Sequence, residues 1–95
     1  MADFIYRILA PRPEFVATMT AEEAAVMGRH FTYLQGLHAA GLLRFVGRAE
    51  NGDFGLVVFE APDPETAQAV AAADPAVSEG LVRAEVHAFR IVPFG

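Results

Sequence analysis

Hydrophobic residues recur along this chain with two periods, and the switches between them outline the fold. Phe4 to Leu9 is a run of aromatic and aliphatic residues closed by Pro11 and Pro13, which predicts a first strand, because proline donates nothing to a ladder. Its faces, Phe4/Tyr6/Ile8 and Ile5/Arg7/Leu9, are apolar apart from Arg7, as in a central strand covered on both sides. Arg12 to Met19 reads as a loop. Thr20-Ala21-Glu22-Glu23 is a capping box that starts a helix. At 100° per residue, Ala24, Val26, Met27, His30, Tyr33, Leu34, Leu37 and His38 share an arc of roughly 180°, the width suited to a helix lying on a sheet. Gly41 offers a left-handed C-terminal position, and Leu42 to Arg48 follows as a second strand.

The pair Asn51-Gly52 between two apolar runs predicts a hairpin, and Phe54 to Glu60 is the third strand, again apolar on both faces. Asp63-Pro64 opens a second helix with an aspartate cap and a proline at the first position, and the small residues of Ala67 to Ala73 let it lie close to the sheet. Asp74-Pro75 repeats that chemistry for a single turn ended by Gly80, and Leu81 to Val92 reads as a long fourth strand. The order βαββαβ predicts a ferredoxin-like α+β fold. Right-handed crossovers then give a four-stranded antiparallel sheet of order 4-1-3-2 with both helices on one face. The helix-free face would expose a large apolar patch, and this predicts a homodimer that buries sheet against sheet.

Composition narrows the partners. A chain of 95 residues, 54% hydrophobic, reads as one domain spanning 1–95. A net charge of -5 and a pI near 5.0 argue against nucleic acid and anionic membranes, both of which select basic surfaces. Phe54-Gly55-Leu56-Val57-Val58-Phe59 resembles the aromatic RNA-stacking motif of RRM domains, but the basic-glycine pair that should precede it is Gly52-Asp53 and Leu56 replaces an aromatic. The absence of cysteine removes disulfides and thiolate chemistry. With no basic amino-terminal region and no long uncharged apolar run, a cytoplasmic protein is expected.

His30 is the main candidate for chemistry. It lies inside the apolar arc of the first helix, between Val26 and Leu34, and imidazole is the side chain whose proton affinity falls nearest neutral pH. A core histidine satisfied by a backbone carbonyl would occupy the same position. Asp74 is a possible partner, although capping by itself explains an Asp-Pro pair, as it does at Asp63. His38 lies eight residues on, about 80° round the axis and about 12 Å along it, too far to share a metal with His30. His87 sits on a mixed strand face. Neither a protein-built metal site nor a nucleotide-binding loop nor a serine elbow has its required spacing, so no cofactor is expected. Arg7, alone on an apolar strand, must reach solvent, pair with a carboxylate such as Glu85, or await an anionic ligand.

Two segments resemble the YCII-related domain family: His30-Phe31-x-x-Leu34-x-x-Leu37-x-x-x-Gly41 running on to Gly47, and Asp74-Pro75-x-Val77-x-x-Gly80 running on to Phe89. With the strand order, the resemblance covers nearly the whole chain. It implies a ferredoxin-like fold that dimerises into an α/β barrel, and an active site around a His-Asp pair near the dimer cleft, here His30 and Asp74. Similar proteins eliminate chloride from a muconate-like ring-cleavage product or isomerise muconolactones, which implies lyase or isomerase chemistry. Two positions depart from the family pattern: Ala76 stands where an aromatic is common, and Arg48 where a proline is.

Two functions follow as expectations. In the first, His30 is a general base oriented by Asp74, and Arg7 or Arg48 holds an anionic group of a small-molecule substrate. In the second, the chain is a non-catalytic ligand-binding or assembly module with a structural histidine.

Overall fold

The computed structural model describes residues 1–94, which form β1 (Ala2–Leu9), α1 (Phe15–Thr18), α2 (Ala21–Ala39), β2 (Leu43–Arg48), β3 (Phe54–Ala61), α3 (Pro64–Ala73), α4 (Pro75–Ser78) and β4 (Arg83–Ala88). The strands make one antiparallel sheet of order β2-β3-β1-β4, which is the expected 4-1-3-2 counted from the other edge. Phe4, Tyr6 and Ile8 of β1 and Val57 and Phe59 of β3 form one core with Leu34 and Leu37 of α2 and Ala67 and Ala71 of α3, so the helices share a single face of the sheet. Tyr6 and Phe59 are wholly buried and meet edge to face at 5.6 Å.

The capping box of α2 is complete. Glu23 N donates to Thr20 Oγ1 at 3.1 Å and Thr20 N to Glu23 Oε1 at 2.9 Å. Arg12 adds a two-pronged bond to Glu23, at 2.7 and 2.8 Å, and donates to the Thr18 carbonyl at 2.8 Å. At the other end, Leu42 N donates to Leu37 O and Gly41 N to His38 O, with Gly41 at φ 76, a Schellman motif.

Four expectations need correction. The stretch Arg12 to Met19 is not all loop: α1 turns there, seeded by the buried Phe15 and by Arg12, whose guanidinium lies 5.3 Å from the Phe15 ring centre. A single turn is too short for periodicity to reveal. The fourth strand is half the expected length. Leu81 N and Val82 N both bond the Ala76 carbonyl, and beyond Phe89, whose N–H reaches Asp3 O, β1 offers almost no further partner. In α2, Ala24 and His38 are exposed, so the buried stripe is narrower than the predicted arc.

The helix-free face is also less bare than alternation suggests. Ile5 and Val58 are already buried there, and Arg7–Glu85 at 3.3 Å, Arg44–Asp3 at 3.1 Å and Arg44–Glu60 at 3.0 Å lay ion pairs across it. Among its large apolar residues, Phe45 and Phe54 stay exposed, at 47% and 38%. No helix among the described residues is long and apolar enough to cross a membrane.

Replacing Thr20 by alanine removes the cap and is expected to lower stability by about 1 kcal/mol in chemical denaturation. The Arg12 fork, followed by the Thr20 N–H, holds the Glu23 carboxyl down at about 2 from an ordinary 4.5. A carboxylate depressed on folding contributes stability above its unfolded pKa and loses it as pH falls through the folded one. Stability measured between pH 4.5 and 2 should therefore decline less in Glu23→Gln than in the parent chain.

Candidate active site

Asp74 sits at the junction of two helices, closing α3 and capping α4. Pro75 lacks the N–H that α3 would need to continue, and it pushes Asp74 into extended backbone at φ -61°, ψ 125°. That turn sends the Asp74 side chain inward, where it is 0% exposed. Three donors from three parts of the chain satisfy it. Oδ1 accepts Ala76 N–H at 2.9 Å. Oδ2 accepts the Tyr6 hydroxyl from β1 at 2.9 Å and lies 2.7 Å from His30 Nδ1 on α2. A buried carboxylate without such partners would be very costly.

The network also assigns the imidazole. An ionised Asp74 only accepts hydrogen bonds, so His30 Nδ1 is the donor and Nε2 is left with the free lone pair of the neutral ring. Among the described residues no buried side-chain nitrogen or oxygen lacks a partner, and His30 bonds only through Nδ1, so Nε2 is open. His30 itself is 12% exposed at its side chain and lines a cavity of about 690 Å³ between α2 and the β2–β3 end of the sheet.

The cavity is mainly apolar. Phe15, Val16 and Met19 wall one side, Met27, Phe31 and Leu34 of α2 another, and Leu43, Val46 and Val57 the sheet side. The polar side chains on its wall are His30, Gln35, His38 and Arg48. Arg48 donates through Nη1 to the Glu50 and Ala49 carbonyls at 3.1 and 3.4 Å, and no carboxylate pairs with it among the described residues. At the rim, Gly52 has φ 81 and packs so tightly on Val16 that any Cβ there would collide with it. Beside the site, Arg29 on α2 grips Glu79 after α4 with two bonds of 2.7 and 2.9 Å, reinforcing the α2–α4 approach that His30 and Asp74 make.

The structure therefore brings His30, Asp74 and Arg48 to one region, and it leaves Arg7 out. Alternation along β1 points Arg7 to the opposite face, where it pairs with Glu85 and stacks over Phe54 at 5.4 Å. Of the three outcomes expected of Arg7, the structure shows the ion pair with Glu85, and Arg7 is not part of the cavity wall. Three residues of the site went unread in the sequence. Tyr6 was assigned to the core by alternation alone, although a buried tyrosine hydroxyl needs a partner, and that requirement was the signal. His38 was set aside as a metal ligand, yet it lines the cavity beside Gln35. Phe31 is not counted in the apolar arc, although 100° per residue sets it between His38 and Ala24, and it stands 61% exposed at the cavity.

Sheet, helices and buried pair together define a ferredoxin-like α+β protein with a histidine-carboxylate pair opening on an apolar cavity. The chain belongs to the YCII-related domain family, whose model matches residues 4–90. Among solved structures it is similar to 5-chloro-2-hydroxyhydroquinone dehydrochlorinase (TftG) from Burkholderia phenoliruptrix AC1100, in complex with 2,5-dihydroxybenzoquinone. The identity is 16%, the TM-score 0.65, and the match covers 92% of this chain and 93% of that one. At that identity the likeness is one of fold. No curated protein sequence matches the chain.

The two Asp-Pro caps provide an internal comparison. Asp63→Ala should cost about 1 kcal/mol, the value of one exposed cap. Asp74→Ala should cost that and a further ~1–3 kcal/mol, because Tyr6 and His30 lose their acceptor in a buried site. Urea denaturation of both variants measures the difference.

Proposed function

We propose that the chain is a small-molecule lyase or isomerase in which His30 is the general base and Asp74 orients it. The carrying observation is the 2.7 Å contact of His30 Nδ1 with a wholly buried carboxylate, while the ring's other nitrogen is left without a partner and the residue lines an apolar cavity. In this reading Nε2 takes a proton from carbon beside an electron-withdrawing group of the substrate, and Asp74 stabilises the imidazolium that forms. The electron pair released then expels a leaving group, in a lyase, or is reprotonated at another carbon by His30, in an isomerase. Arg48, which pairs with no carboxylate among the described residues, holds the substrate's anionic group at the cavity edge. The dehydrochlorinase likeness supports the elimination branch as a reaction class and leaves the substrate open.

We further propose that two copies pair through their helix-free faces, where Phe45 and Phe54 are exposed, as the family resemblance implies. A monomer mass by light scattering at micromolar concentration would sink this assembly.

The base is tested by proton exchange in D2O with a panel of unsaturated hydroxy acids and hydroxyquinones, followed by NMR. The wild-type chain should exchange a carbon-bound proton of at least one of them, and His30→Ala should slow that exchange by about 10²–10⁴-fold while still folding, at a lower melting midpoint because the buried Asp74 carboxylate loses one donor. Binding without exchange in the wild type would favour a ligand-binding module instead, with His30 structural.

A further inference from the structure

Tyr6 is a buried titratable group that the proposed chemistry does not use. It comes from β1, where its ring is clamped edge to face on Phe59, so its hydroxyl has a fixed origin in the sheet. Asp74, by contrast, sits on a tight junction between two helices, and its carboxylate can turn about its final bond unless something holds it. We propose that Tyr6 is a positioning residue for His30: its hydroxyl, donating to the same Asp74 Oδ2 that the imidazole meets, fixes the carboxylate and draws off part of the charge His30 feels. The two bonds to that oxygen measure 2.9 Å from Tyr6 and 2.7 Å from His30, while Oδ1 is taken by the Ala76 amide.

The arrangement has one consistent proton order. Burial first, and the nearby Asp74 second, push the Tyr6 phenol far above its ordinary range, so it stays a donor across all working conditions. A second phenol, Tyr33, is raised by the same two causes but spends its proton on the Val70 carbonyl at 2.7 Å, leaving Tyr6 as the hydroxyl that grips the carboxylate. An oxygen shared between two donors gives each a weaker bond than it would give one alone. Tyr6 thereby limits how strongly Asp74 favours the imidazolium, and so sets the pH at which His30 has a free lone pair. That setting bears on turnover only if His30 is the base; the titration of His30 does not depend on that reading.

The titratable and charged groups on the elements packed about His30 are Asp74 at the α3–α4 junction, which meets the ring, Tyr6 of β1 bonded to Asp74, Tyr33 and His38 on its own helix, the Arg29–Glu79 pair joining α2 to the end of α4, and Arg48 of β2 on the same cavity wall. Of these, Tyr6→Phe changes only the hydroxyl on Asp74.

The test is an NMR titration of the three histidines in the intact chain, without substrate, with the His30 signal assigned by its loss in His30→Gln. In Tyr6→Phe the His30 midpoint should move to higher pH by about one unit, the scale of one hydrogen bond to a charged group. His38 and His87 should not move. In an Asp74→Asn background the same tyrosine change should leave His30 where it is, because the effect runs through the carboxylate. A His30 midpoint that is unmoved or lowered by Tyr6→Phe, or moved equally in the Asp74→Asn background, overturns the proposal. Placing 3-fluorotyrosine at position 6 keeps the ring and strengthens the donor, so the midpoint should fall. Should Tyr6→Phe fail to fold, that chain decides by itself, and an unmoved or raised midpoint is then the overturning result.

Discussion

One buried carboxylate ties this molecule together. Asp74 has no contact with water and accepts hydrogen bonds from the central strand, from the main helix and from the backbone of the short helix that it caps. A charge in that position is tolerable only while all its donors stay in place, so it penalises any relative movement of β1, α2 and α4. Satisfaction of the carboxylate and orientation of the imidazole are the same event. A scaffold contact and a chemical one are therefore not separable at this point of the fold.

The surroundings extend that logic. The Arg29–Glu79 fork fastens α2 to the chain just past α4, and the two hydrogen bonds that Leu81 N and Val82 N donate to the Ala76 carbonyl turn the chain into β4. At the far end of α2, the Arg12 fork on Glu23 holds the preceding segment, whose Phe15, Val16 and Met19 make the outer wall of the cavity. The apolar cavity is thus a gap left between a rigid helix-sheet core and a segment latched across it, and His30 stands where the two meet.

Much of the frame was legible from the chain itself. Thr20-Ala21-Glu22-Glu23, Asp63-Pro64 and Asp74-Pro75 are local chemistry, and each starts a helix where its hydrogen bonds require. The alternating runs at Phe4–Leu9 and Phe54–Glu60 identify two central strands, and the βαββαβ order leaves one handed way to arrange four. The end of β4 was not legible, because Ile91 and Val92 are as strand-prone as the residues before them and only the length of the neighbouring strand stops the ladder. The α1 turn escaped for a related reason: its cause is the burial of Phe15 and a bond from Arg12, both tertiary.

The candidate site divides along the same line. Position on a helix marked His30 as a polar group in an apolar stripe, and a family motif set Asp74 beside it, both from residue order alone. Nothing local distinguishes Asp74 from Asp63, yet one cap is wholly buried beside a histidine and the other lies at the surface. Likewise Arg7 and Arg48 stand in the sequence as alternative holders of an anionic group, and strand alternation plus the neighbour each meets sends one to an ion pair and the other to the cavity. Residue order determined the caps, periods and strand order, because those depend on bonds between near neighbours. The tertiary structure alone decided burial, pairing and the choice of Tyr6 as a third partner, because those depend on which distant surfaces close over a charge.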